Sequence, residues 1–526
     1  MEQWRRRKQG VFRRYRIADA AAVIIILAVC SRLLGFVREA VIAAYFGAGA
    51  LTDAYQVALL VPAMLFTVFG GQALGTVFIP VFTGLLVQEE RERALRLAGG
   101  LLILVFMVLL AASLAGIIFA PALVKLVAPG FSETTAGMAV CFSRFLLAGL
   151  IFFGVSGFLS ALLNAYGHFT VPAAAGIFLN LSIITFICLS GVRWGIAGLI
   201  AGTVAGYLVQ VVVQIPPLIS RGFRFYPVLD FKESSLRQVG RLMWPVMAIG
   251  AVTQVGPVVT RVLASSMPPG SITALNYADR VLQLPLGLFM AAFLTASYPA
   301  LSAQTSLCDL PGLKKFITDW LGLLFFLTVP AVAALVILRV SLIEMLFQRG
   351  AFDAAATRIT AEALLGYAPG LPFLAAGRFL ARVFYALQDS LTPMLIGVVV
   401  IVLNVVLSVV MVRFLALGGL ALAASLSAAV SMLVLFTVLS GRIGPLGGFA
   451  LLGRCLKMAL AGVPAWAVMA GAVSWFGFGY GLAERLVSLA LAAGTGVAVY
   501  FLVCRWLGLP EVSLVFSRCG DFLARR

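Results

Sequence analysis

The sequence predicts an all-α polytopic membrane protein with about 14 transmembrane helices, arranged as two six-helix pseudo-repeat lobes plus two C-terminal helices. Three observations predict this class: the composition, the succession of apolar runs and an internal repeat. Of the 526 residues, 62% are hydrophobic and only 11% are charged, whereas soluble domains carry about 25% charged residues. A chain of this composition has too little polar surface for water, which excludes the soluble classes of protein.

Apolar runs that are long enough to cross the roughly 30 Å hydrocarbon core as helices follow one another along the whole chain. The first run follows a basic N-terminus that has no cleavage motif, so we expect a retained helix rather than a signal peptide. The predicted spans cover residues 19–46, 55–87, 97–120, 138–164, 169–190, 195–219, 241–266, 275–303, 317–338, 357–386, 393–412, 417–440, 458–478 and 487–504.

The formal net charge of +18 would suggest nucleic acid as a partner in a soluble protein, but here its distribution is a topology signal. With the basic N-terminus in the cytoplasm, the inner loops and tails carry 24 of the 38 Lys and Arg residues, and the outer loops carry seven. This asymmetry follows the positive-inside rule. We therefore expect both termini in the cytoplasm and no nucleic-acid partner.

An internal repeat relates the two halves of the chain. Residues Phe158–Gly176 align without gaps on Phe379–Gly397, and Arg38 falls on Arg261 in almost the same register. Because each repeat contains an even number of helices, six, both halves enter the membrane from the same side. Two such halves are expected to enclose a cleft suited to alternating access. The predicted regions are a basic N-terminus (1–18), an N-lobe (19–219), a cytoplasmic linker (220–240), a C-lobe (241–440), a final helix pair (441–506) and a cytoplasmic C-terminus (507–526).

Seven arginines lie inside the predicted spans, and they are the part of the charge that bears on a substrate. An arginine at mid-bilayer costs roughly 2.5–3.5 kcal/mol on insertion scales, so these side chains need water, partners or an anionic ligand. Nearby carboxylates are too few to neutralise them, and the planar guanidinium group suits phosphate. For Arg144 and Arg382, near span ends, structural pairing or contact with headgroups is favoured. The seven are Arg32, Arg38, Arg144, Arg261, Arg280, Arg378 and Arg382.

Three of these arginines, Arg32, Arg38 and Arg280, lie deepest in their spans, and we predict that they bind the anionic ligand in a polar cavity. Other polar residues on the same or neighbouring spans are predicted to support the cavity or to form ion pairs. These are Ser31, Glu39, Asp53, Asp279, Arg261 and Arg378.

No pattern typical of an enzyme or a metal centre occurs in the sequence. The seven cysteines are scattered singly, and the one histidine, His168, lies in a short inner loop, where a polar residue at headgroup level is the expected role. We expect no catalytic residue, no metal site and no cofactor. Asp53 and Asp389 are interpreted as helix caps, and Asp389 is kept as a weak candidate for binding a cation.

Five segments resemble, in order along the chain, the signature segments of the MurJ/MviN family of lipid II flippases, which belong to the multidrug/oligosaccharidyl-lipid/polysaccharide exporter superfamily. The resemblance implies fourteen helices, in two six-helix lobes and a final pair that forms a groove for a lipid tail. It implies transport of undecaprenyl-pyrophosphate-linked peptidoglycan precursor from the inner to the outer leaflet of the bacterial cytoplasmic membrane. The segments are Ser31–Tyr55, Leu163–Pro172, Leu275–Gly287, Leu346–Pro372 and Arg378–Pro393.

The resemblance also assigns site residues. The family's cavity arginines in the first and eighth helices fall on Arg32, Arg38 and Arg280, which implies that the pyrophosphate binds there. Glu39 stands where Asp is usual, and Asp53 matches an acidic position at the outer end of the second helix.

The second helix departs from the family's pattern. Where the family has two arginines and a glutamate, this chain has Phe66, Thr67 and Gly71, and Thr260 stands where some members have a sodium-site acid. Substrate identity and cation coupling are therefore left open by the sequence.

The leading hypothesis is a flippase for lipid II that could be driven by the membrane potential or by a cation. An exporter of another undecaprenyl-linked polysaccharide precursor is an alternative that the altered second helix permits. A cation-coupled drug antiporter is a further alternative, although its cavity should carry acids rather than arginines. The expected partners are the lipid-linked precursor and membrane lipids, with the cell-wall synthesis machinery as a candidate protein partner.

Overall fold

The structure is a computed structural model that describes residues 2–69, 71, 74–190, 193–230, 233–306, 310–476 and 482–514. All regular elements within these residues are helical, which confirms the predicted all-α class. The chain forms two compact units, Met1–Pro269 and Gly270–Arg526. The first unit therefore includes the two helices that follow the predicted linker, and the predicted domain boundaries stay predictions.

In the first unit the helices pack around two apolar clusters. One cluster has Phe78, Phe82 and Phe158 at its centre, and the other contains Ile42, Tyr55 and Ile183. The helices are α1 (Glu2–Phe46), α2 (Ala50–Val68), α3 (Leu74–Val87, with a π-helical start at Leu74–Phe78), α4 (Arg91–Ile118), α5 (Ala120–Val127), α6 (Glu133–Ala148), α7 (Leu150–Ala165), α8 (Thr170–Ser190), α9 (Ile196–Ser220), α10 (Ser234–Thr253) and α11 (Val255–Ser265).

The second unit begins with a long helix and ends with a hairpin of two more. Its helices are α12 (Ser271–Ser306), α13 (Leu310–Ile337), α14 (Arg339–Phe347), α15 (Ala354–Tyr367), a single 3₁₀ turn (Ala368–Gly370), α16 (Leu371–Ala386), α17 (Leu391–Ile443), α18 (Gly448–Phe476) and α19 (Leu482–Trp506).

Ten helical stretches among the described residues are long and apolar enough to cross a membrane, and the bent pair α6–α7 would make an eleventh. Helix α17 has 53 residues, or about 80 Å at 1.5 Å per residue, which exceeds twice the hydrocarbon thickness. Its break at Ala416 therefore separates two crossings, as predicted for residues 393–412 and 417–440. With α1 and α12, the described helices accommodate fourteen crossings, and the exact number stays a prediction.

Several predicted spans are interrupted in the structure. The second span, predicted as continuous over 55–87, is divided between α2 and α3, and the seventh breaks at Gln254 between α10 and α11. The fourth bends by 42° at Gly149. Hydropathy could not locate these breaks because the composition stays apolar through them.

The backbone repeats in the register that the sequence alignment predicts. Helices α7 and α16, which carry the aligned phenylalanines Phe158 and Phe379, span Leu150–Ala165 and Leu371–Ala386. The helices that precede them are capped at equivalent positions, since Ser132 accepts the N–H of Thr135 at 3.3 Å and Asp353 accepts the N–H of Ala356 at 2.8 Å. The repeat inferred from the gap-free alignment is thus confirmed in the helix bounds and caps.

One unusual backbone conformation is repeated as well. Gly195 has φ 51° and ψ −131°, and Ala416, its equivalent in the register of the repeat, has φ 45° and ψ −126°. This region of positive φ favours glycine, because a β-carbon is strained there. Both residues lie where the chain turns back after the fifth helix of its repeat.

After α19 the chain makes a further turn and packs against α13 and α18 of the same unit. Glu511 is fully buried and pairs with Arg454 of α18 at 3.0 Å. Gly322 of α13 leaves the space for it, because a β-carbon there would collide with the Glu511 carboxylate.

Candidate functional site

The rotation of α1 is fixed by close packing against α8. Asn180 Nδ2 donates to the Ser31 carbonyl at 3.1 Å, and a β-carbon on Gly176 would collide with Ser31 Oγ. Asn180 also packs against Gly35, where its Nδ2 lies at ordinary contact distance, 3.5 Å, from the place of a β-carbon. Ser31 therefore supports the site by positioning α1. Arg32, the next residue, is exposed and has no polar partner among the described residues.

Arg38 lies in a different environment from Arg32. It forms an ion pair with Glu39, and the two side chains are only 17% and 5% exposed. Tyr55 and Tyr207 lie within electrostatic range of the guanidinium group. The Tyr55 hydroxyl is hydrogen-bonded to Thr203 Oγ1 at 3.0 Å. The two arginines of α1 therefore differ: Arg32 is exposed, whereas Arg38 is paired with Glu39 and lies near the buried polar side chains of Tyr55 and Tyr207.

The tyrosines and Thr203 around Arg38 were missed by the sequence analysis. Tyr207 and Thr203 lie on α9, far from Arg38 in the chain. A single sequence shows pairs only when they are close along the helix, so no signal could have found these two. Tyr55 is the last residue of the family-like segment Ser31–Tyr55. Its place in that segment was the one sequence signal that could have linked it to the site.

Asp53 is buried in the first turn of α2, where the helix dipole favours a carboxylate. Its interpretation as the helix cap was wrong. The neighbouring residue, Thr52, closes the cap: Thr52 Oγ1 accepts the N–H of Gly49 at 2.9 Å and donates to the Gly49 carbonyl at 3.0 Å. Both residue types suit a helix N-terminus, and the sequence alone did not fix which one lies three residues after the cap.

The altered second helix has an aromatic wall where the family pattern has charge. The Phe66 ring lies 4.6 Å from the Phe153 ring, which lies 4.9 Å from that of Tyr207. A β-carbon on Gly71 would stand 2.5 Å from the Phe66 ring. Thr67 donates its hydroxyl to a carbonyl of its own helix at 2.9 Å. Phe66 therefore connects through Phe153 to the surroundings of Arg38.

The seventh span carries Arg261, which is half-buried in α11. Thr260 donates its hydroxyl to the Gly256 carbonyl at 3.0 Å. This threonine is thus satisfied within its own helix.

In the second unit, Arg280 is exposed near the start of α12, and Asp279 beside it accepts from Gln283 Nε2 at 3.4 Å. The rotation of α12 is fixed by Tyr277, whose buried ring stacks on Phe347 of α14 at 4.8 Å.

Arg378 and Arg382 of α16 are both exposed and lie one turn apart. The opposite side of α16 is buried through Leu380 and Phe384. The two arginines therefore share one face of α16.

Asp389 lies between α16 and α17 and forms the predicted helix cap. Its Oδ1 accepts the N–H of Thr392 at 3.0 Å, and its other oxygen pairs with Arg442. Hydrogen bonds from Thr392, followed by the charge of Arg442, hold the pKa of Asp389 below its ordinary value. Across the described parts of the chain, no group of three or more His, Cys, Asp or Glu side chains is arranged to hold a metal ion.

An apolar cavity of about 380 Å³ lies in the second unit. The predicted groove for a lipid tail was assigned to residues 441–506, but α18 supplies only part of this lining, and α13, α16 and α17 supply the rest. The lining includes Phe325, Val329, Phe373, Met432, Leu452 and Ala459.

A helical bundle with an internal six-helix repeat and arginines inside its spans defines a multi-pass membrane transporter. Among solved structures, the fold is similar to a multidrug resistance MATE family transporter in an inward-facing conformation, with a TM-score of 0.67 at 14% identity, covering 80% of this chain and 98% of that one. It is also similar to a lipid II flippase MurJ in an inward closed conformation, with a TM-score of 0.78 at 24% identity, covering 92% and 99%.

The chain belongs to the MurJ lipid II flippase family. The model of that family, described as lipid II flippase MurJ, matches residues 42–483. A probable lipid II flippase MurJ of Vibrio cholerae is 30% identical over 523 residues, covering 94% of this chain and 97% of that protein. One from Rhizobium meliloti is 28% identical over 509 residues, covering 92% and 93%.

Proposed function

We propose that this protein translocates lipid II, the undecaprenyl-pyrophosphate-linked peptidoglycan precursor, from the inner to the outer leaflet of the bacterial cytoplasmic membrane by alternating access. The observation that carries the proposal is its membership of the MurJ family over residues 42–483. Both termini lie in the cytoplasm, as the loop charges indicate, and the protein moves its substrate without changing it chemically.

The pyrophosphate is bound by Arg32, Arg38 and Arg280. Arg32 and Arg280 are exposed, so their guanidinium groups are accessible to an anion. Arg38 is oriented by Glu39 and contributes a fixed positive charge. Guanidinium groups suit this task because their parallel N–H donors match two phosphate oxygens.

The lipid tail occupies the apolar cavity between α13, α16, α17 and α18. Its lining is almost entirely hydrocarbon, which suits an isoprenoid chain and offers nothing to a charged group.

The membrane potential, rather than a cation, drives the cycle. Two positions considered for a cation are occupied in other ways, since Thr260 is bonded to its own helix and Asp389 to Arg442. Each positive charge that moves through the potential is worth about 2.3 kcal/mol per 100 mV.

Complementation of a strain depleted of its own lipid II flippase tests the function. The wild-type chain should restore growth, and Arg32→Ala or Arg280→Ala should abolish it at equal expression. Arg144→Ala is the matched control, because Arg144 is another exposed arginine inside a predicted span, and its hydrogen bond within the described residues is to the Ile117 carbonyl at 3.4 Å. Growth of Arg280→Ala equal to wild type would contradict the pyrophosphate role.

A second candidate function is export of another undecaprenyl-linked polysaccharide precursor. The observation that favours it is the aromatic wall at Phe66, which stands where the family pattern has arginine. Binding measured with lipid II and with other undecaprenyl pyrophosphate glycans separates the two, as does the precursor that accumulates inside cells when the protein is removed.

A further inference from the structure

The two repeats build the same corner on the face that the loop charges assign to the cytoplasm. Each corner combines a basic residue at the start of the third helix of the repeat, a loop residue after the fourth, and an arginine and a glycine of positive φ after the sixth. The first corner consists of Arg91, His168, Arg221 and Gly222, and the second corner of Lys314, Asp389, Arg442 and Gly444. His168 and Asp389 keep the 221-residue shift that relates Phe158 to Phe379, and so do Arg221 and Arg442; Lys314 and Gly444 lie two residues and one residue beyond that register.

The second corner is neutralised by a carboxylate. Arg442 pairs with Asp389 and donates to Thr392 Oγ1 at 2.8 Å. Lys314 approaches the same place, since its Nζ lies 2.6 Å from where a β-carbon on Gly444 would stand. The charge of Arg442 is therefore balanced within the corner by Asp389.

The first corner has the same arginine but no acid. Arg221 donates to the Tyr166 carbonyl at 3.1 Å and approaches His168 Nδ1 at 3.3 Å. Arg91 donates to the Gly222 carbonyl at 3.5 Å. Within the described part of the chain no carboxylate pairs with Arg91 or Arg221, because Glu90 and Glu233 both pair with Arg93.

Two donors in the first corner lack a partner. With Arg221 donating to Nδ1, the neutral imidazole of His168 carries its proton on Nε2. That Nε2 atom and the Tyr166 hydroxyl are both buried and have no hydrogen-bond partner among the described residues. Unsatisfied buried donors are costly, so an acceptor that reached these two atoms would gain an N–H and an O–H donor in addition to the positive charge of the corner.

The neighbouring side chains suit the membrane surface. Phe169 and Phe225 are exposed and flank the first corner in sequence, next to His168 and shortly after Arg221. Aromatic rings are typical of the headgroup level of a bilayer. In the second corner, the residue equivalent to Phe169 is Ser390.

We infer that the first corner is an anion-binding site that takes the phosphate of an acidic phospholipid headgroup from the cytoplasmic leaflet. Arg221 and Arg91 supply the charge, and His168 and Tyr166 supply neutral donors. The second corner is the built-in counterpart in which Asp389 already occupies the place of the anion. The inference holds whichever lipid the protein transports.

Native mass spectrometry of the full chain in detergent, supplied with phosphatidylglycerol or phosphatidylcholine of the same acyl chains, tests the site. His168→Asp gives the first corner the acid of the second and should reduce retained phosphatidylglycerol about fivefold, the effect of one basic residue near an acidic membrane surface. Asp389→His, the reverse exchange, should raise retention by a similar factor. His168→Ala leaves Arg221 without an acid and should lose less than His168→Asp.

The second corner shows that an Asp–Arg pair fits this backbone, and Asp389→His predicts a gain, so misfolding could not imitate both results. Retention by His168→Asp equal to wild type would overturn the site, as would equal retention of phosphatidylcholine and phosphatidylglycerol. Inorganic phosphate is the remaining probe. Complete displacement of the lipid by millimolar phosphate would assign the corner to a soluble anion and overturn the lipid.

Discussion

The two six-helix repeats have the same backbone plan but place their acids differently. In the first repeat, Glu39 lies inside the span beside Arg38, and the first corner has His168 instead of an acid. In the second, the residue after Arg261 is Val262, and the acid, Asp389, lies in the corner beside Arg442. The bounds of α7 and α16 agree to the residue, so the fold does not dictate where charge is compensated.

The difference teaches that backbone geometry and charge are separable in this protein. Gly195 and Ala416 share a conformation that favours glycine, although only one of them is glycine. The packing of the repeat therefore imposes the backbone conformation of this turn. It does not strictly determine which residue type occupies the position. Three measurements can break or sharpen this comparison.

The largest effect is expected for Glu39→Gln in the first repeat. It leaves Arg38 charged and mostly buried without its carboxylate, which should lower the free energy of unfolding by about 3 kcal/mol. Thermal unfolding in detergent measures it. The double variant Arg38→Gln/Glu39→Gln removes both charges and should recover much of the loss, and additive losses would contradict a specific pair.

A smaller and opposite pair of effects is expected at the repeated turn. Ala416→Gly should stabilise the protein by about 1 kcal/mol because it removes the strained β-carbon, and Gly195→Ala should destabilise it by a similar amount. No atom lies within 4 Å of the place of a β-carbon on Gly195, so a steric clash does not contribute. Unfolding of both variants under the same conditions checks the signs. Equal signs would refute a shared conformational cause.

The smallest effect is a difference in pH response between the two corners. Burial, followed by the charge of Arg221, lowers the pKa of His168, and Asp389 also has a lowered pKa. Each group therefore binds fewer protons when folded, so stability falls as the pH drops below the unfolded pKa, about 6.5 for His and 3.9 for Asp. The melting temperature should start to fall near pH 6.5, and His168→Asn should remove that early loss while leaving the later one.

The sequence predicted the helical class, the family and the repeat because these depend on composition and on residues close in the chain. It did not predict the breaks at Gly149 and Gln254, where apolar composition continues without a signal. The shell of Tyr207 and Thr203 around Arg38 could not be predicted either, since it depends on packing between helices far apart in the chain.

The candidate arginines show the same limit. Their positions in the spans could be predicted from the sequence. The contrast between exposed Arg32 and paired Arg38 could not, because it depends on the rotation of α1. Asn180 and Gly176 of α8 fix that rotation. Thr52 replaced Asp53 as the residue that closes the cap for a similar reason, because both types suit a helix start.

The buried ion pair between Glu511 and Arg454 limits how far the C-terminus of the protein can be truncated. The family match ends at residue 483, and a protein trimmed to that boundary would keep Arg454 but lose its carboxylate and the helix between them. The segment through residue 514 therefore belongs to the smallest stable form of the protein, although the bounds of the family match alone would end it at residue 483.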